Sequence, residues 1–180
     1  MMAKIENAFL TCFGDNIGYI CDGDAISTAP DRDGVFFRAT VERDDSGDRP
    51  DERQEGFWPT LNPADAGYIG PRSKSTLRRA QARAQRIMDA WRNDEWWYVG
   101  VVIRAYRVLG HAMLETGHVQ SLWGIECNYP ASERNRHPNA YLTMVANDLL
   151  AECGSKVRAE LARMAAEMLA TLQNSGTGRI

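Results

Sequence analysis

Trp96-Trp-Tyr-Val-Gly-Val-Val-Ile-Arg-Ala-Tyr-Arg-Val108 is the stretch on which the fold turns. It is aromatic and β-branched, the composition that suits a pleated, packed surface. Alternate side chains of a strand point to opposite faces. Here Trp97, Val99, Val101 and Ile103 fall on one face, and Trp96, Tyr98 and Val102 on the other. A strand that is apolar on both sides is expected in the middle of a sheet.

Working outward, Leu109 to Gly117 reads as a hairpin loop, and Val119 to Cys127 as the antiparallel return strand. Upstream, Val35 to Glu42 alternates, with Val35, Phe37, Ala39 and Val41 against Arg38, Thr40 and Glu42; Phe36 interrupts the polar face. Two short apolar runs, 17–21 and 25–29, flank Asp22-Gly23-Asp24, a hairpin signal because glycine takes positive φ at no steric cost. About five strands are therefore expected.

Two helices are expected. Ser73 or Ser75 is an N-cap candidate for a helix running to about Asn93. Leu77, Ala80, Ala84, Ile87, Met88 and Trp91 share one of its faces, and Arg78, Arg79, Arg83 and Arg86 lie on or beside the opposite face. Asn139 would cap a long second helix carrying Leu142, Val145, Leu149, Val157, Leu161, Met164 and Leu172 at 3-4 spacing, with Gly154 its expected weak point. The order β-β-β-loop-α-β-β-α predicts an α+β domain over residues 1–173, with a mainly antiparallel sheet and both helices on one face. Residues 174–180 read as a frayed tail. The length of the last helix predicts a homodimer through it.

The connection 43–73 holds four of the seven prolines and four glycines, a length that is uncommon without a function. Its first part is acidic. From Glu42 to Glu55, seven acids stand against three arginines, a balance of −4; from Arg72 to Arg92, seven bases stand against Asp89, a balance of +6. The acidic residues Asp44, Asp45, Asp48, Asp51 and Glu52, together with Trp58, form a candidate partner-binding surface. It reads either as a solvated, mobile linker or as a mimic of a phosphate backbone. Arg78, Arg79, Arg83 and Arg86 form a candidate nucleic-acid-binding face, since guanidinium forks suit phosphates and nearby aromatics could stack bases. The two charge blocks could also mask one another.

The chain has 180 residues and a net charge of −3, which argues against general coating of nucleic acid. No run of about 18 apolar residues is present, so no membrane span is expected, and the short run Ala8 to Phe13 is too brief for a secretory signal. The chain reads as cytoplasmic. Cys12, Cys21, Cys127 and Cys153 form no C-x-x-C pair, and with His111, His118 and His137 they give no zinc spacing. No metal and no cofactor are expected. All five tryptophans lie between Trp58 and Trp123. They mark either the packing centre of the domain or a partner-binding surface.

Glu55-Gly-Phe-Trp-Pro-Thr-Leu-Asn-Pro-Ala-Asp-Ala-Gly-Tyr-Ile-Gly-Pro, Trp91-Arg-Asn-Asp-Glu-Trp-Trp-Tyr-Val-Gly-Val-Val and Ser121-Leu-Trp-Gly-Ile-Glu-Cys-Asn-Tyr-Pro resemble segments of a group of small, uncharacterised phage and prophage proteins. The likeness covers about the C-terminal two thirds. It implies an origin in a bacterial mobile element, where small accessory proteins commonly inhibit host defences such as restriction or CRISPR interference.

Catalytic candidates are sparse. His118 and Glu126 share parity on one strand, but eight residues place them about 26 Å apart. Ser121, Cys127 and Cys153 have no adjacent base in the sequence. Gly67-Tyr-Ile-Gly lacks the context of a phosphate loop. The expected mode of action is binding, most directly to a host protein or ribonucleoprotein complex as an inhibitor or modulator. A nucleic-acid-binding module is the alternative, and a small enzyme of unassigned reaction the second.

Overall fold

The structure, a computed structural model, describes residues 8–14, 18–46, 48–130, 137 and 139–176. The fold is α+β. Its elements in chain order are β1 (Ala25–Ser27), β2 (Val35–Arg43), α1 (Pro50–Arg53), α2 (Lys74–Arg92), β3 (Trp97–Leu109), β4 (Ala112–Cys127) and α3 (Ala140–Gly176). The four strands form one antiparallel sheet in the order β1-β2-β3-β4, so the expected centre, β3, lies between β2 and the edge strand β4.

The odd-numbered residues of β3 build the main core. Val99, Val101, Ile103 and Ala105 are fully buried, flanked by Phe37, Ala39 and Val41 of β2 and by Ile125 and Cys127 of β4. Leu142, Val145, Ala146, Leu150, Cys153 and Val157 of α3 close this layer, at the 3-4 spacing that gives a helix one apolar stripe. The glycine that was expected to weaken α3 does not interrupt it. Gly154 is buried within an unbroken helix, and a Cβ there would meet the Phe37 ring at an ordinary 3.7 Å. No helix among the described residues is long and apolar enough to cross a membrane.

The helices do not share one face. Trp96, 1% exposed, donates its indole N–H to the Ile87 carbonyl of α2 (3.0 Å), and its ring meets the edges of Tyr98 and Tyr129. Tyr98 points opposite to Trp97 and Val99, so α2 is fastened to the side of the sheet away from α3. Ala84, Met88 and Ala90 are the buried residues of α2. Ser73 is the N-cap, accepting from the Thr76 N–H.

Four further expectations are corrected. Among the described residues the sheet has four strands, because Gly18 to Ile20 form none. The Asn128 amide takes the place of a strand partner there: it accepts from the Ile20 N–H at 2.9 Å and donates to the Ile20 carbonyl at 2.8 Å. The turn at Asp22-Gly23 ties into β2 instead, through Gly23 N–H to Val41 O (2.8 Å) and Arg43 N–H to Asp22 Oδ1 (2.8 Å). The loop expected at 109–117 is a tight turn between Leu109 and Ala112; Gly117 is not a turn but part of an irregularity in the β3–β4 register. Among the described residues there are three helices, because Pro50-Asp-Glu-Arg53 makes one short turn. Finally, α3 continues to Gly176, and the remainder of the expected tail lies outside the described residues.

Candidate binding surfaces

The acidic segment is built around Arg53. Its guanidinium sits 4.2 Å from the Tyr98 ring centroid, contacts Asp44 Oδ2 at 2.8 Å and Asp48 Oδ2 at 3.4 Å, and donates to the Ser46 hydroxyl. Arg49 holds two further acids, reaching Asp51 at 2.7 Å and Glu52 at 3.7 Å. The Trp58 indole N–H also donates to Asp51 (3.2 Å), and Pro50 is fully buried. Asp44 and Asp51 keep only 11% and 12% of their side chains exposed. Desolvation pushes the Asp44 carboxyl up, but the hydrogen bonds and charge of Arg53 and the contacts with Ser46 outweigh it, and the net shift is downward. For Asp51 the Trp58 hydrogen bond and Arg49 likewise overcome desolvation. Of the six residues proposed from the sequence for partner binding, Asp45, Asp48, Glu52 and Trp58 are exposed. Asp45 alone among the five acids has no charged or hydrogen-bonding partner among the described residues.

The basic helix is arranged oppositely. Arg78, Arg79, Arg83 and Arg86 are all exposed, as are Arg72 and Lys74 before them. Among the described residues no ion pair joins any of these six to a carboxylate. The nearest compensation on α2 is local, Arg92 to Asp89 at 3.1 Å. Mutual masking of the two charge blocks is therefore not what the structure has: Asp44, Asp48, Asp51 and Glu52 pair with Arg49 and Arg53 of their own segment, and none of the block's acids pairs with α2 among the described residues.

The tryptophans divide between the two roles open to them. Trp96 and Trp97 are core, at 1% and 9% exposure, whereas Trp58 and Trp123 are exposed at 40% and 46%. Trp123 lies across Gly100 of β3, where any Cβ would overlap the indole. It belongs to an apolar edge along β4 with Met113, Leu114, Val119 and Leu122, each more than 40% exposed. Edge strands expose unpaired backbone groups, and the register irregularities of β4 at Gly117 and Gly124 limit regular pairing along it. The sequence offered a signal for this edge: Leu122-Trp123 next to Met113-Leu114 gives apolar residues on both faces of a strand that pairs on one side only.

A cavity of about 320 Å³ opens between the turn after β2 and the junction of α2 with β3. Its walls include Asp44, Asp45, Asp48 and Asp94, Arg43 and Arg92, and the rings of Trp91, Trp97 and Tyr98. Sequence reading missed it, because its parts come from three segments joined only by the sheet. Asp94, at φ 55, ends α2 and holds Arg43 at 2.7 Å. Desolvation, with Glu126 nearby, pushes the Tyr98 phenol up to about 12 despite Arg53, so it stays neutral.

The catalytic candidates are dispersed. Glu126 pairs with Tyr98, while Val119, next to His118, pairs with Arg104, six residues or about 20 Å further along β3. Burial raises the Cys127 thiol to about 12 and Cys153 to about 11, so neither supplies a thiolate near neutral pH. Among the described residues no three His, Cys, Asp or Glu side chains are grouped to hold a metal ion. The chain matches no protein-family model, no curated protein and no solved structure.

Proposed function

We propose that this chain is an accessory binding protein of the phage and prophage kind, which acts by occupying an anionic site on a host protein or ribonucleoprotein complex rather than by catalysis. The observation that carries this reading is the uncompensated cationic face of α2: Arg72, Lys74, Arg78, Arg79, Arg83 and Arg86 are exposed without a carboxylate partner. Exposed charges without local partners leave their field available to a binding surface of opposite sign. The resemblance of the aromatic segments to mobile-element proteins favours an inhibitory role, such as against restriction or CRISPR interference, in the bacterial cytoplasm. Exposed Trp123 and the apolar edge of β4 favour a target containing protein, since clustered aromatic and aliphatic side chains anchor protein interfaces.

The test is affinity capture from a bacterial host at moderate salt. The wild-type chain should recover a stoichiometric host complex, and Arg79→Glu/Arg83→Glu should not. Equal recovery by both would remove α2 from the interface. A nucleic-acid-binding module is the alternative that the same helix face favours. It would recover oligonucleotide alone and lose it steeply between low and moderate salt. Self-association is a further partner proposal: residues 162–167 of α3 are exposed, Met164 at 47%. A monomeric mass by light scattering at high concentration would remove it.

A further inference from the structure

The cavity beside the acidic segment has one carboxylate and one aromatic ring left over, and these two define a ligand. Asp44 and Asp48 share Arg53, and Asp94 takes Arg43. Asp45 is exposed and has no partner among the described residues. The rings repeat the pattern. Tyr98 already carries the Arg53 guanidinium at 4.2 Å, and Trp97 carries that of Arg43 at 5.4 Å. Trp91, half-buried in the same wall, carries no cation. Four wall aspartates against Arg43 and Arg92 of the wall and the Arg53 that pairs with two of them leave the cavity net acidic by one charge.

We propose that this cavity binds an alkyl guanidinium or alkyl ammonium group, whose charge meets Asp45 while its flat or methylene-bearing part lies on Trp91. Aromatic faces attract such cations through their quadrupole, and more strongly where water is partly excluded. A volume of about 320 Å³ falls at the small end of ligand sites, enough for a side chain or a short amine. A bare metal ion does not fit, because no three carboxylates are grouped to hold one among the described residues.

The ligand chemistry has two sources, a free amine or an arginine or lysine side chain of a protein, and the experiment separates them. The intact chain is titrated with agmatine, with a blocked tripeptide having arginine at its centre, and with the citrulline tripeptide as the uncharged control. Binding is read by tryptophan fluorescence and calorimetry. Saturable binding of agmatine or the arginine peptide, with none of the citrulline peptide, is the expected result; the tighter of the two identifies the source. Asp45→Asn, an exposed position that does not threaten folding, should weaken binding about three- to fivefold. Trp91→Leu should abolish the fluorescence response. No saturation by about 10 mM, or an Asp45→Asn variant with unchanged affinity, overturns the proposal. The result is independent of the α2 interface, because the Arg79→Glu/Arg83→Glu variant should bind agmatine or peptide as the wild type does.

Discussion

The acidic segment 44–55 and the basic helix α2 carry comparable charge in the sequence and present it differently in the structure. The first is partly paired from within: Arg49 and Arg53 take Asp44, Asp48, Asp51 and Glu52, with the Arg53 guanidinium over the Tyr98 ring, although two arginines offset only two of the segment's six acids. The second is not, since its arginines project from a helix whose other face holds Ala84 and Met88. Charge counted along a chain measures what is present. Charge available to a partner is what remains after short-range pairing. Arg49 and Arg53 organise the acidic block, while Arg43 pairs outside it, with Asp94.

The comparison depends on α2 being held firmly, and Trp96 holds it. Replacing Trp96 by alanine removes a fully buried ring, its hydrogen bond to Ile87 and two edge-on aromatic contacts. A loss of about 3–5 kcal/mol is expected by urea unfolding. A small loss would mean that α2 is anchored elsewhere, and that its basic face is not rigidly presented.

Arg53 is the corresponding centre of the acidic segment. Arg53→Met keeps much of the stem packing and leaves Asp44, at 11% exposure, without its counter-charge. The expected cost is about 1–3 kcal/mol, reduced from that of a fully buried pair because Arg53 retains 21% exposure. The pH dependence sharpens the point. The Asp44 and Asp51 carboxyls titrate below their ordinary values when folded. Their contribution is therefore fully present above the unfolded value of about 3.9 and is lost as pH falls through the folded values. Unfolding free energy measured from pH 7 to pH 3 should drop more for the wild type than for Asp44→Asn. Parallel curves would show that Asp44 adds nothing to the acid limb.

How far the sequence carried can be seen at these same elements. The strand at 97–109, the strand from Val35 and the helix behind Ser73 were legible, because period and capping act locally. The short α1 had a signal, proline at the first helical position followed by two acids, but a single turn is stable only through the burial of Pro50 and the arginine pairs around it. The first half of β4 was hidden by Gly110 and Gly117, which read alike in sequence although only the first lies in a turn. The missing first strand was not legible at all, since it is replaced by the side chain of Asn128, 108 residues away. Of the candidate surfaces, the basic face was readable from helical spacing. The pairing within the acidic segment and the cavity beside it were not, because both depend on which side chains the sheet brings to Tyr98.

The smallest effect is the most informative about the basic face. Arg79 and Arg83 are exposed and join no ion pair among the described residues, so reversing both to glutamate removes no such contact. Unfolding free energy should stay within about 0.5 kcal/mol of the wild type, the usual range for surface positions. Helix propensity barely changes, since arginine and glutamate rank together. One weak electrostatic contact is altered: Arg83 lies close enough to Tyr129 to oppose the rise that burial imposes on its phenol. Urea unfolding at moderate salt checks the prediction. A clear loss of stability would mean that these arginines support the fold, leaving α2 no freer than the acidic segment. Unchanged stability with lost capture of a host complex would leave recognition as the role of the face.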